Sequence, residues 1–336
     1  MYKIAIIIPC RNEVNYIKKA ILSIENNNFP IEDVEVVVVD GMSDDGTREL
    51  LMDLIQSRDW LRIINNENQK TPFAFNIGLK YTQSKYVLIM GSRFILSSNY
   101  LQEALLLIEK YQEVACVGGF LNHIYENDEG KIISFAQSSK FGVGIGNFRT
   151  LTKETYTDTV TPPFFKRSIF NEIGHFDERL TRNQDDDFSY RVIKKGYKIL
   201  FSPNLKTDYF VRTSYKKLFN QYNQYGYWKV FVNRKHRTIT TLRQLIPVGF
   251  LLSLILLVIL GLFNNFFLFI LGIEFIIYFT FAIYFSKPLI NKLKVIKIIY
   301  VFLILHFSYG MGYLLGVFRF IILKKNPQKS FEILTR

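Results

Sequence analysis

Cysteine is nearly absent: Cys10 and Cys116 are the only two in 336 residues, which excludes a disulfide-stapled extracellular fold. Both fall at strand-like positions, and two free thiols suit a reducing compartment. The N-terminus lacks the pattern of a secretory signal and begins directly with a strand, so the N-terminal region is expected on the cytoplasmic side of a membrane. There is no internal repeat and no low-complexity segment apart from apolar runs toward the C-terminus. Charge is what those runs lack. Pro247 to Phe263 carries none, and Phe266 to Phe285 carries only Glu274.

The rest of the composition is an unusual pairing for a soluble protein: 49% hydrophobic residues with a formal net charge of +13. The first ~240 residues have ordinary globular alternation, and the apolar excess sits beyond Pro247. Each of these two runs is near the ~20 residues needed to cross a bilayer, and Asn264-Asn265 makes a tight connection between them. A third run, Ile298 to Leu323, is interrupted by His306, Gly310, Gly312 and Gly316. A buried helical bundle is the alternative, but three such runs in one third of a chain are hard to bury in protein. A multi-pass anchor in a bacterial-type plasma membrane is expected. Lys287, Lys292, Lys294 and Lys297 form a positive-inside loop after an out-and-back hairpin. Lys324, Lys325 and Lys329 conflict with that pattern, because a simple third span would put them outside. Either the third run is re-entrant or interfacial, or the rule fails here; both stay open. With these runs present, the basic excess points to anionic lipid headgroups rather than nucleic acid.

The N-terminal region alternates strand and helix. Lys3 to Ile8 is a buried-type strand, and Asn12 is expected to cap a helix carrying Val14, Ile17, Ile21 and Ile24. Val34 to Val39 is a second strand and Thr47 to Ile55 a second helix; Arg62 to Ile64 is a third strand. Thr71-Pro72 opens a helix with the threonine as cap. Tyr86 to Met90, Tyr100 to Tyr111 and Ala115 to Val117 continue as strand, helix, strand. This predicts an α/β fold with a doubly wound, mostly parallel sheet. Beyond residue 120 the alternation fails, and Ile132 to Phe135, Phe141 to Gly146 and Thr161 to Phe165 read as irregular loops around shorter strands.

The most informative stretch is Val36-Val-Val-Val-Asp40-Gly-Met-Ser-Asp-Asp-Gly-Thr47. Four β-branched residues make a strand buried on both faces, and it ends in an acid and a polar turn. Open α/β sheets bind ligands at such carboxyl ends, and a carboxylate there suits a nucleoside rather than a phosphate. Joined with Pro9-Cys-Arg-Asn-Glu13, Asn76-Ile-Gly78, Gly174-His-Phe-Asp-Glu178 and Asn183-Gln-Asp-Asp-Asp-Phe-Ser-Tyr-Arg191, it resembles glycosyltransferase family 2, the inverting GT-A fold. Val117-Gly-Gly119, Phe141-Gly-Val-Gly144 and Gln221 to Lys229 add similarity to its succinoglycan-biosynthesis branch, whose members elongate lipid-linked bacterial polysaccharides. The resemblance covers about residues 3 to 245.

That resemblance implies a nucleotide-sugar donor, a UDP-sugar first among them, bound by Pro9, Arg11, Asn12, Glu13, Asp40, Ser43, Asp44 and Asn76. It implies a lipid-linked saccharide acceptor and membrane lipids as partners, with no oligomeric state specified. An inverting transfer needs a base for the acceptor hydroxyl. Aligned on Arg191, the family's aspartate falls on Asp185, with Asp186 as the fallback. A charge-rich helix N-terminus is the bland alternative, though three adjacent acids are more than a dipole needs; Asp187 and Arg191, four apart, suit a pair along the helix. Phe164 and Phe165 fit an acceptor-facing aromatic wall or loop packing equally well. Gln224 and Trp228 resemble the Gln-x-x-Arg-Trp acceptor motif of processive synthases, with Tyr227 in place of the arginine. The surrounding Tyr215 to Arg237 is expected to seat the catalytic domain on the membrane.

One departure stands out. Family members place an aspartate-containing Mg²⁺ or Mn²⁺ motif after the fourth strand, where this chain has Gly91-Ser92-Arg93. No acid lies between Lys85 and Glu103. Ser92 alone is a poor ligand for a hard cation, and Arg93 can neutralise a diphosphate as a bidentate donor. A metal held by other acids, or a non-catalytic assembly subunit, are the other readings; a polyprenyl-phosphate sugar synthase is the rival activity. The expected layout is a catalytic domain over 1–212, an interfacial segment over 213–243, membrane helices over 244–323 and a basic tail over 324–336.

Overall fold

Ile4–Cys10 forms β1 and Val34–Asp40 forms β2, and nearly every residue in both strands is buried. Apolar residues on both faces of a strand leave only one arrangement that removes them from water: a sheet covered on each side by helices. The computed structural model has that arrangement. It describes residues 2–211, 214–289 and 292–332, with Lys292 and Leu293 described by backbone alone. The boundary expected at 212/213 and the last four residues of the basic tail lie outside the described residues.

The chain divides into two units. The first contains residues 1–124 and 151–210. Its elements are β1, α1 (Ile17–Glu25), β2, α2 (Thr47–Ile55), β3 (Leu61–Asn65), α3 (Thr71–Lys80), β4 (Tyr86–Ile89), β5 (Phe94–Leu96), α4 (Tyr100–Lys110) and β6 (Val114–Ile124). The order of the sheet is β3-β2-β1-β4 in parallel, continued by later strands. Ile6, Val36, Leu88 and Tyr100 lie in its core, and each large apolar side chain so buried is worth about 1.5–3 kcal/mol. Cys116 is buried in the same sheet, and burial pushes its thiol up, away from the reactive thiolate.

Two expectations need correction here. Asn12 does not cap α1, which begins five residues later, directly after Tyr16; Asn12 instead adopts a left-handed backbone with φ 56°. Thr71 is the first residue of α3 rather than its cap, with Pro72 in the first turn. Beyond residue 120, the stretch around Ile132 to Phe135 is a helix, α5 (Asp128–Gln137), capped by the Asn127 side chain; a short α6 (Lys140–Val143) follows. After β7 (Thr155–Tyr156), β8 (Phe164–Lys166) pairs antiparallel with β4 and β6. The helices α7 (Ser168–Ile173) and α8 (Gln184–Lys194) precede β9 (Lys198–Phe210), which runs beside β6.

The second unit contains residues 125–150 and 211–336, so α5 and α6 belong with the C-terminal helices. Those are α9 (Tyr215–His236), α10 (Ile246–Gly261), α11 (Asn265–Ser286), α12 (Lys292–Gly316) and a short α13 (Lys329–Glu332). Leu242–Gly261, Asn265–Leu289 and Lys294–Ile322 are long and apolar enough to cross a membrane. His306 on α12 is held at both ring nitrogens, by the Tyr278 hydroxyl and the Phe141 carbonyl, at 2.9 Å each.

In the first unit α3 lies against β1 so closely that a Cβ on Gly78 would sit 2.4 Å from Ile7 Cγ2. Gly78→Ala is therefore expected to destabilise by about 1–3 kcal/mol through overpacking. A lowered melting temperature of the purified protein checks it, and an unchanged one contradicts the packing described.

Candidate active site

The carboxyl ends of β1 and β2 lie side by side, because Cys10 pairs with Asp40 in the parallel register. The loops leaving them are stitched together by side chains. Asn12 and Asp44 exchange bonds: Asn12 Nδ2 donates to Asp44 Oδ1 at 2.7 Å, and the Asp44 amide donates to Asn12 Oδ1 at 3.1 Å. The Asn12 amide donates to Ser43 Oγ, and the Glu13 amide to Thr47 Oγ1, both at 2.9 Å. Burial alone would raise Asp45, but hydrogen bonds from the Thr47 side chain and backbone and from the Val14 amide hold its carboxyl below the usual value. Arg11 lies over Gly41, where an added Cβ would come within 3.2 Å of it. Pro9 is the last residue but one of β1.

Asp40 is fully buried. Its carboxylate accepts from the Ser43 hydroxyl and amide and from Arg48 Nη1 at 3.2 Å, while Nη1 also donates to Asn65 Oδ1 at 2.8 Å. The aspartate thus shapes the polar loop from within. The group it leaves toward solvent is Arg48, whose side chain is 39% exposed. Arg48 was not anticipated as a site residue; its position one residue into α2, directly after the acidic turn, is the signal that was there.

The end of β4 is organised around a cation. Arg93 Nε donates to Glu13 Oε2 at 2.7 Å, and its guanidinium carbon lies 4.4 Å from the centre of the Tyr16 ring. Tyr16 in turn packs on Phe210 at the end of β9, whose amide donates to the Arg93 carbonyl. The side chains of Arg93 and Glu13 are 20% and 12% exposed, so this pair is far less solvent-screened than a surface bridge. A Mg²⁺ or Mn²⁺ ion on a diphosphate needs hard oxygen ligands. Here Ser92 is a buried hydroxyl residue, and the carboxylate at this end, Glu13, is bound to Arg93. Among the described residues no group of three His, Cys, Asp or Glu side chains is placed to hold a metal. The residues at this strand end do not fit a divalent metal.

The acids of α8 occupy its first turn, after Asn183 in a left-handed conformation. They are not equivalent. Asp187 is fully buried and accepts from Arg191 Nε at 3.1 Å, as their spacing of four suggested. Arg191 also donates to the Ile173 and His175 carbonyls at 2.6 and 2.8 Å. Asp186 is half-buried, and Asp185 is exposed. The loop 174–178 is gripped from its other side by Asn76, which donates to the Phe176 carbonyl and Glu178 Oε1 at 2.9 Å and accepts from the Phe176 amide. Both ends of the Asn76 carboxamide are occupied by this loop.

Three expected acceptor-side groups are core residues. Phe164 is stacked on Tyr86 at 5.6 Å, and Phe165 meets Phe170 and Phe188 edge-on; both are buried, so they line no acceptor wall. Trp228, on α9 of the second unit, is fully buried with its indole N–H donating to the Phe331 carbonyl at 3.0 Å. Gln224 is buried in the same helix. Aromatic runs carry no sign of which side they face, and here packing claimed them.

Comparison with known proteins agrees with this fold. The profile described as glycosyl transferase family 2 matches residues 5–174, half of the chain. A dolichyl N-acetyl-alpha-D-glucosaminyl phosphate 3-beta-D-2,3-diacetamido-2,3-dideoxy-beta-D-glucuronosyltransferase of Methanococcus voltae is 30% identical over 77% of this chain and 82% of its own length. The succinoglycan biosynthesis protein ExoA of Rhizobium meliloti is 27% identical over 73% of this chain and 74% of its own. The solved mannosyltransferase PcManGT of Pyrobaculum calidifontis, in complex with GDP-Man and Mn²⁺, superposes with a TM-score of 0.51 at 17% identity. That match covers 67% of this chain and 62% of the other, and it shows the fold, the GT-A sheet. The chain belongs to glycosyl transferase family 2 and is a nucleotide-sugar-dependent glycosyltransferase.

Proposed function

We propose that the protein is an inverting transferase that moves one sugar from a UDP-sugar to a lipid-linked saccharide at the cytoplasmic face of a membrane, in exopolysaccharide or capsule assembly. The observation that carries this reading is the division of labour in the first turn of α8. Asp187 is buried against Arg191, whereas Asp185 is exposed two residues earlier in a frame fixed by that pair. Asp185 is the base that takes the acceptor hydroxyl's proton as its oxygen attacks the anomeric carbon, with the nucleoside diphosphate leaving from the opposite face. Asp186 is its neighbour in reserve.

At the donor, Asp40 shapes the nucleoside end from within by holding Ser43 and Arg48, and Arg48 faces the ligand. Arg93 takes the diphosphate through its terminal nitrogens while Glu13 and Tyr16 hold the guanidinium in place. Pro9, Arg11, Asn12 and Asp44 shape the cleft between the first two loops. A lipid-linked acceptor is supported by the Methanococcus voltae relative, whose name specifies a dolichyl phosphate-linked sugar. It is also supported by the three long apolar helices of this chain.

A screen of nucleotide sugars against extracted lipid-linked saccharide tests the reaction, with EDTA in a parallel arm. Turnover is expected to survive EDTA, and strict dependence on Mg²⁺ or Mn²⁺ would contradict the assignment of Arg93. Asp185→Asn is expected to lower kcat by roughly 10²–10⁴-fold with an unchanged melting temperature. Full turnover in that variant points instead to a phosphate acceptor that needs no base. Asp187→Ala should behave oppositely, costing about 3–5 kcal/mol of stability by removing the carboxylate that balances the largely buried Arg191.

A further inference from the structure

Three apolar runs at the C-terminus suggest three crossings, but they are not alike. Within their most apolar windows, Leu242–Gly261 and Asn265–Leu289 are 22% and 11% buried, whereas Lys294–Ile322 is 61% buried. The third run is buried in part by the apolar hairpin, where Phe250 of α10 meets Phe307 and Tyr278 of α11 bonds His306, and in part by a helix of polar character. Helix α9 runs alongside α12 in the same direction: Tyr215 meets the Tyr300 ring at 5.5 Å, Asn223 Nδ2 donates to the Ser308 carbonyl at 3.1 Å, and Tyr227 meets Phe320 at 4.7 Å. The backbones touch, for a Cβ on Gly312 would lie 1.9 Å from the Asn223 carbonyl.

Helix α9 cannot accompany a spanning helix through a bilayer. Lys216, Lys217 and Asn220 are exposed in its first two turns and Arg234 near its end, and Lys229 is buried in its second half, where a spanning partner would hold it inside the bilayer. Intramembrane charges are costly and rare. At the opposite end of α12, Lys294 lies 3.8 Å from Asp128 of α5, another polar helix. The run of 29 residues would extend about 44 Å at 1.5 Å per residue, well over the ~30 Å hydrocarbon core. Its exposed apolar side chains lie on one face but at the two ends of the run, Ile296 and Tyr300 at one and Met311, Leu315, Phe318 and Ile322 at the other, with residues 301–310 covered by neighbouring helices.

The tail supplies a second, independent observation. After Ile322 the chain folds back onto α9: the Gln328 amide donates to the Tyr227 hydroxyl at 3.1 Å, Trp228 Nε1 bonds the Phe331 carbonyl, and Phe331 stacks on Tyr227 with ring centres 3.9 Å apart. The segment after the third run is therefore joined to the polar helix that runs beside it.

We infer that α12 lies along the membrane surface with its exposed apolar face in lipid, and that the chain does not cross there. The α10–α11 hairpin is left as the inserted element, and α9 and the basic tail share one side of the bilayer. Cations at both ends of α12, Lys294 and Lys297 at one and Lys324 and Lys325 at the other, then meet anionic headgroups of the same leaflet. The conflict with the positive-inside pattern disappears.

The test uses the full chain in sealed membrane vesicles of both orientations, with a membrane-impermeant maleimide. Cys10 and Cys116 are buried and serve as a silent background. Lys216→Cys on α9 and Lys325→Cys in the tail are single exposed changes. Both are expected to be labelled in the same vesicle orientation and protected in the other. Labelling of the two in opposite orientations would mean that the third run crosses, and would overturn the inference.

Discussion

The ion pair between Glu13 and Arg93 is the contact on which the donor side of the molecule depends. It joins the loop after β1 to the loop after β4, eighty residues apart in sequence, and Tyr16 covers it. The guanidinium proposed to meet the donor diphosphate is thereby held in a partly desolvated place. Charge there is worth more than on the open surface, since the local dielectric is lower. The family's usual answer to the same electrostatic problem is a divalent ion held by a carboxylate. The residues here fit a fixed guanidinium and do not fit an ion.

The rest of the cleft is arranged to keep such groups in register. Asp40 gives up direct exposure to tie Ser43 and Arg48 in place, and Asn12, Asp44 and Thr47 link the neighbouring loops. On α8, the cost of burying Asp187 is offset by Arg191, which also fastens the 174–178 loop. Each device uses one buried charge to place a more exposed one. That is the preorganisation a transfer needs, because groups already oriented cost no rearrangement when charge develops on the leaving diphosphate.

The parallel half of the sheet was legible in the sequence, because β-branched runs ending in turn residues leave little choice. The second helix was read with its observed bounds. Other parts were not legible, each for a physical reason. The helix α5 hides its start in Asn127, which accepts from the Gly130 amide. The strand β9 has its pairing shifted, from Ser202 opposite Gly119 to Lys206 opposite Phe120, so alternation is broken. The side of Phe164, Phe165 and Trp228 is decided by partners far away in the chain. For the site, the acids of α8 and the missing carboxylate after β4 were visible in advance. The partnership of Arg93 with Glu13 and the role of Arg48 needed three dimensions.

The central claim is that donor diphosphate is held by Arg93 and not by a metal ion. Calorimetric titration of the purified protein with a nucleoside diphosphate in excess chelator tests it most directly, with Arg93→Ala beside the unmodified chain. The account predicts binding by the unmodified chain in chelator and its loss in the variant. Binding that appears only when Mn²⁺ or Mg²⁺ is restored, and is indifferent to Arg93→Ala, would contradict it.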